Sequence, residues 1–137
     1  MNITPEKSAL VNIDCAEIEL LNSGIISIRY KSDYEVGLKD VKEVEQVFIS
    51  MSKGGAIYCL MDTLGRYNNF TEEAQKFLSK EASIVKDRKL KCSAVIIDNL
   101  PYRILIRLFT KFLRPPFKIK AFGSKDAATV WLLKEMQ

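Results

Sequence analysis

Two short runs constrain this chain most. AIYCLMD (56–62) and KCSAVII (91–97) are apolar at nearly every position; Asp62 closes the first and Asp98 follows the second. A strand with one wet face alternates in polarity, whereas a continuous apolar run of this length is covered on both faces. That is the habit of central strands in a parallel sheet. Parallel neighbours need a crossover connection, usually a helix, and the segment between the runs has helical character. The sequence therefore predicts an α/β domain.

The remaining segments fit that scheme. AEIELL and IISIRY alternate, and Asn22-Ser23-Gly24 between them tolerates positive φ, which predicts an N-terminal β-hairpin. In 38–51, Leu38, Val41, Val44 or Glu45, Phe48 and Met51 recur at helical spacing before Ser52-Lys53-Gly54-Gly55 ends the helix. LGRYNNF (64–70) is expected as a loop. Thr71 is the N-cap of the next helix, with Glu72 and Glu73 in its first turn and Ala74, Phe77, Leu78, Ile84 or Val85 inward. A helix beginning near Pro101 stops at Pro115-Pro116; FKIKAF is a strand; Ser124 caps a last helix with Ala127, Val130, Trp131 and Met136 inward.

The predicted order is β-β-α-β-α-β-α-β-α, a mostly parallel or mixed five-stranded sheet with the first strand at its antiparallel edge. Residues 1–14 show no clear period and are expected as an arm, with a helical turn after Pro5; 15–137 form the domain. At 137 residues, one core suffices.

The composition removes several chemistries. The absence of histidine removes the commonest general base and the usual catalytic zinc sites. Three scattered cysteines, Cys15, Cys59 and Cys92, form no CxxC; Cys59 and Cys92 lie in apolar strands, where a free thiol acts as a small hydrophobe, which predicts a reducing, cytoplasmic setting. No phosphate loop or dinucleotide fingerprint is present, and no cofactor is expected. The start has no signal-peptide pattern, and no apolar run is long enough to cross a bilayer.

Charge is uneven. Between Lys86 and Lys120 ten basic residues face only Asp87 and Asp98, giving +8, so the remainder is −4 against a total of +4. Such asymmetry suits an acidic protein partner or an anionic membrane surface. Nucleic acid is not favoured, because no aromatic-interleaved sheet accompanies the charge.

Three stretches carry a family resemblance: ELLNSGIISIRYKSDYEVGLKDVKE, AIYCLMDTLGRYNNFTEEAQKF and RPPFKIKAFGSKDAATVWL. Together, over about residues 16–134, the chain resembles the STAS domain of bacterial anti-sigma-factor antagonists, in a small stand-alone branch. The resemblance implies a layered α/β fold and a regulatory, non-catalytic role. It also implies a phosphorylatable hydroxyl at the start of the helix after the central strand. Phe70-Thr71-Glu72-Glu73-Ala74 occupies that place, so Thr71 is the candidate acceptor, although the family's serines and glycine are missing.

The most informative segment is 101–116. Arg103, Arg107, Lys111 and Arg114 make a basic stripe, and Ile104, Leu105, Leu108, Phe109 and Phe112 cover the opposite side. Ile106 and Leu113 widen the apolar surface beyond the needs of one sheet face. Arg103, Ile106, Arg107, Phe109, Lys111 and Leu113 are therefore the candidate interface, with a homodimer as the simplest occupant, and 65–75 is a second contact region. The expected function is a protein-binding or regulatory domain. A pocket under this helix would instead indicate a small ligand or lipid. A third reading is a metal-assisted enzyme using Asp62 and Asp98, placed where ligands bind open α/β sheets.

Overall fold

The structure, a computed structural model, describes residues 9–137. The helical turn expected after Pro5 lies outside the described residues. The eight strands among the described residues are β1 (Ala9–Asn12), β2 (Ala16–Leu20), β3 (Ile26–Tyr30), β4 (Tyr34–Val36), β5 (Ile57–Asp62), β6 (Asn68–Phe70), β7 (Leu90–Ile96) and β8 (Lys118–Phe122). The helices are α1 (Leu38–Ser52), α2 (Glu72–Lys76), α3 (Ser83–Lys86), α4 (Leu100–Leu108) and α5 (Lys125–Glu135). Wide π turns over Phe77–Glu81 and Phe109–Leu113 extend α2 and α4.

Six strands form the main sheet in the order β1-β2-β3-β5-β7-β8, and β4 and β6 form a separate parallel pair. The expected single five-stranded sheet is thus corrected to eight strands in two sheets. The predicted hairpin is β2–β3, with Ile18 opposite Ile28. It is not the edge, because β1 pairs antiparallel outside β2, from Ala9 opposite Leu20 to Asn12 opposite Glu17. All four β1 residues are solvent-exposed, so the strand has no polarity alternation to reveal it within the expected arm.

The parallel strands β3, β5, β7 and β8 lie side by side in chain order. Right-handed crossovers that step repeatedly in one direction place their helices on one face. Accordingly α1, the α2–α3 segment and α4 cover one face, where Ile28, Val41, Phe48, Phe77, Val85 and Tyr102 share the larger core. The chain crosses to the other face only after β8, and α5 packs Ala128 and Leu132 on Ile25, Leu60, Ala94 and Ile96. The inward set expected for α5 is shifted: Ala127 and Val130 are exposed. Apolar and charged residues are interleaved around that helix, so periodicity does not fix its phase.

The α2–α3 segment is broken at Ala82, whose backbone is extended (φ −60°, ψ 137°) and offers no side-chain cap to α3. Glu45 of α1, buried at 8% exposure, supplies the acceptor instead. Its carboxylate takes the Ile84 N–H at 3.0 Å and the Ser83 hydroxyl at 3.2 Å. Glu45→Ala strands those donors and is expected to lower unfolding free energy by roughly 2 kcal/mol. Glu45→Gln, which keeps one acceptor, is expected to lose less; urea unfolding of both variants checks the order.

Candidate functional site

The carboxyl ends of the parallel strands are closed by the chain's own polar groups. Asp62 accepts the Leu64 N–H at 3.0 Å. Asp98 accepts the Gly65 N–H at 3.2 Å and the Asn99 amide at 3.1 Å. Asn99 caps α4 by accepting the Tyr102 N–H at 2.9 Å. Among the described residues no group of three or more Cys, Asp or Glu side chains gathers where a metal ion would sit. The order of the parallel strands also never reverses, so the crevice in which open α/β sheets bind ligands is not built here.

Asn68 ties this end together. Its amide donates to the carbonyls of Lys31 (2.6 Å) and Tyr34 (3.0 Å) and accepts from the Tyr102 hydroxyl (2.5 Å). Part of the expected loop 64–70 is thereby strand β6, paired with β4 from Tyr34–Asn68 to Val36–Phe70. Asparagine has low strand propensity, so side-chain hydrogen bonding rather than propensity makes this pair. Thr71 follows as the cap of α2, its hydroxyl oxygen accepting the Ala74 N–H at 3.1 Å.

The other candidate region is α4 with its π turn, which has three faces. Inward, Tyr102 and Phe109 are 2% and 8% exposed, and Leu105 and Ile106 are half-buried. On one outer flank Leu100, Ile104, Leu108 and Phe112, four residues apart, are 45–68% exposed. Arg103, Arg107, Lys111 and Arg114 make the basic stripe, all exposed. The sequence-derived interface set therefore divides: Phe109 points inward, Ile106 and Leu113 are half-buried, and the three basic residues face solvent. Of the exposed ridge, Ile104, Leu108 and Phe112 belong to the apolar side that the sequence sets opposite the basic stripe, and Leu100 lies outside that set.

Beneath α4 lies a cavity of about 110 Å³ between the sheet and the helices. Phe48, Phe77, Leu105, Ile106, Phe109 and Phe117 are among its walls, and Glu45, Gln75, Ser93 and Tyr30 are its polar residues. Gln75 is committed to the Phe70 carbonyl at 2.9 Å. No described helix is long and apolar enough to cross a membrane.

This arrangement is the SpoIIAA-like, or STAS-like, fold. The chain is similar to the crystal structure of an uncharacterized protein of the DUF3478 family from Shewanella loihica PV-4, described as having a SpoIIAA-like fold. The two share 16% identity with a TM-score of 0.57, over 96% of this chain and 99% of that one. Residues 19–136 match the family described as Domain of unknown function (DUF7793), and the chain belongs to that family. No curated protein matches it.

The three cysteines are buried free thiols. Burial pushes Cys15 and Cys59 up to about 12 and Cys92 up to about 11, from 9.0. Desolvation of the thiolate is the first cause in each; carboxylates of Asp40 and Glu43 add to it at Cys15, and Glu135 at Cys92. A thiol held protonated is a poor nucleophile. Because the folded values are raised, their contribution to stability is full below pH 9.0 and is lost as pH rises toward 11–12. The native protein is expected to resist iodoacetamide near pH ~8 until urea unfolds it. Its urea midpoint is expected to fall above pH 9.0.

Proposed function

We propose that this chain is a non-catalytic protein-binding module of regulatory type that associates first with a second copy of itself, through the outer flank of α4. The carrying observation is the ridge Leu100, Ile104, Leu108 and Phe112, each at least 45% exposed. Single exposed apolar residues are ordinary; four in register on one helix flank form a patch of the kind that marks an interface. A two-fold contact lays the ridge on its own copy and leaves Arg103 and Arg107 toward the rim. Asn99, at the head of α4, holds the Arg66 carbonyl at 3.2 Å, so exposed Tyr67 stands at the same end. The STAS-like resemblance fits a regulatory role for such contacts.

Light scattering tests this on wild type and Leu108→Asp. Wild type is expected to have the mass of a dimer, and the variant that of a monomer with an unchanged unfolding transition. A monomeric wild type overturns self-association. Phe109→Asp, which puts a charge into the core, is expected to disrupt folding instead.

The cavity favours a second reading, a small apolar ligand held under α4. Engineered apolar cavities of comparable size, about 150 Å³, take benzene or xenon. Fluorobenzene is expected to raise the melting temperature of wild type but not of Ala82→Leu, whose added side chain fills a wall of the cavity. Equal behaviour of the two proteins rejects this reading.

A further inference from the structure

The last strand of the sheet is left open on one side. β8 pairs with β7 alone, from Cys92–Lys118 to Ile96–Phe122. The Ile97 N–H donates to the Phe122 carbonyl at 2.9 Å, so Phe122 turns its backbone groups inward. Backbone direction alternates along a strand, so Lys118 and Lys120 also turn inward. Ile119 and Ala121 therefore present their N–H and C=O groups outward, to the free edge.

A groove of about 420 Å³ runs between this strand and α4. Ile97, Ile119 and Ala121 contribute its apolar side and Arg103, Arg107 and Lys111 its basic side, with no carboxylate in the lining. None of the three cations is in an ion pair among the described residues. Lys120 adds charge on the other side of the sheet, over the Phe122 ring.

We infer that this groove binds an extended acidic protein segment, which adds to β8 as a seventh strand of the main sheet. The inference rests on reading the chain as a protein-binding module, but not on its self-association. Edge addition supplies affinity through backbone hydrogen bonds, and side-chain surroundings supply selectivity. The backbone groups of Ile119 and Ala121 offer the first, and the cations offer the second. Lysines on an edge strand oppose pairing with a like edge. Two copies of β8 would set Lys120 and both α4 stripes against each other, Lys118 being paired with Glu135 at 2.8 Å, so a second copy is the wrong occupant. An acidic strand turns the same charges into attraction.

The probe is a synthetic heptapeptide alternating glutamate and valine, capped at both ends, titrated by calorimetry and by amide NMR. It is expected to bind, to shift the Ile119 and Ala121 amides, and to weaken as salt rises; a lysine–valine counterpart is expected not to bind. Arg103→Glu with Arg107→Glu is expected to weaken binding roughly tenfold or more. Ala121→Pro removes an outward N–H without removing a ladder bond, and is expected to cost roughly fivefold. If that variant fails to fold, the wild-type amide shifts decide. Absence of peptide binding overturns the inference. So does binding with unmoved Ile119 and Ala121 amides, or phosphatidylglycerol vesicles that bind wild type and Ala121→Pro alike, since the surface then reads charge alone. A dimer that ignores the peptide overturns this inference only; a monomer that binds it overturns self-association only.

Discussion

The handedness of the crossovers governs the rest of the molecule. Four parallel strands lie in chain order, and the last three are each reached by a helical crossover; with the usual right-handed connection this puts α1, α2–α3 and α4 on one face of the sheet. The opposite face then has no crossover helix and depends on α5, which can reach it only after the last strand is in place. β8 is left as an edge for the same reason, because nothing follows it into the sheet. α4 is the last crossover and has no further helix beyond it on the β8 side. Its exposed surfaces therefore follow from topology before any choice of side chain.

Topology also shapes the carboxyl end of the sheet. Without a reversal in strand order, the carboxyl ends of the parallel strands have no gap between diverging connections. The connections instead bond to one another: Asn68 to the segment after β3 and to α4, Asp98 to Gly65, and Asn99 to Arg66. Thr63 adds a buried hydroxyl on the Ile96 carbonyl at 2.6 Å. Asp62 and Asp98 take part in this network through the N–H groups of Leu64 and Gly65.

The main sheet's core was legible because burial on both faces leaves a direct mark: AIYCLMD and KCSAVII are apolar without interruption, and the structure places them centrally as β5 and β7. The hairpin was legible through alternation and its turn residues. What escaped had no such mark. β1 has no dry face, and β6 is Asn-Asn-Phe, held by asparagine side-chain bonds that propensity cannot foresee. α5 defeated periodicity because apolar and charged residues are interleaved around it, and α4 because its apolar arc is wider than one sheet face. In α4 the basic stripe was visible, but which apolar flank faced inward was not. Phe109 and Phe112, three residues apart, end up at 8% and 68% exposure.

That contrast separates folding from function in α4. To close the sheet, the helix needs Tyr102, Leu105, Ile106 and Phe109, and these side chains line the core or the cavity. A helix doing only this carries polar residues elsewhere, because exposed apolar surface adds nothing to stability and invites association. Leu100, Ile104, Leu108 and Phe112 break that expectation, and so does a row of cations without ion-pair partners among the described residues, beside an open strand. The two departures lie on different flanks of one helix, an apolar ridge and a basic groove. A single contact to an acidic surface would call for the charges alone, and a simple dimer for the ridge alone. Their coexistence on the outermost crossover is why the two proposals, self-association by the ridge and acidic-segment binding by the groove, can fail or stand independently.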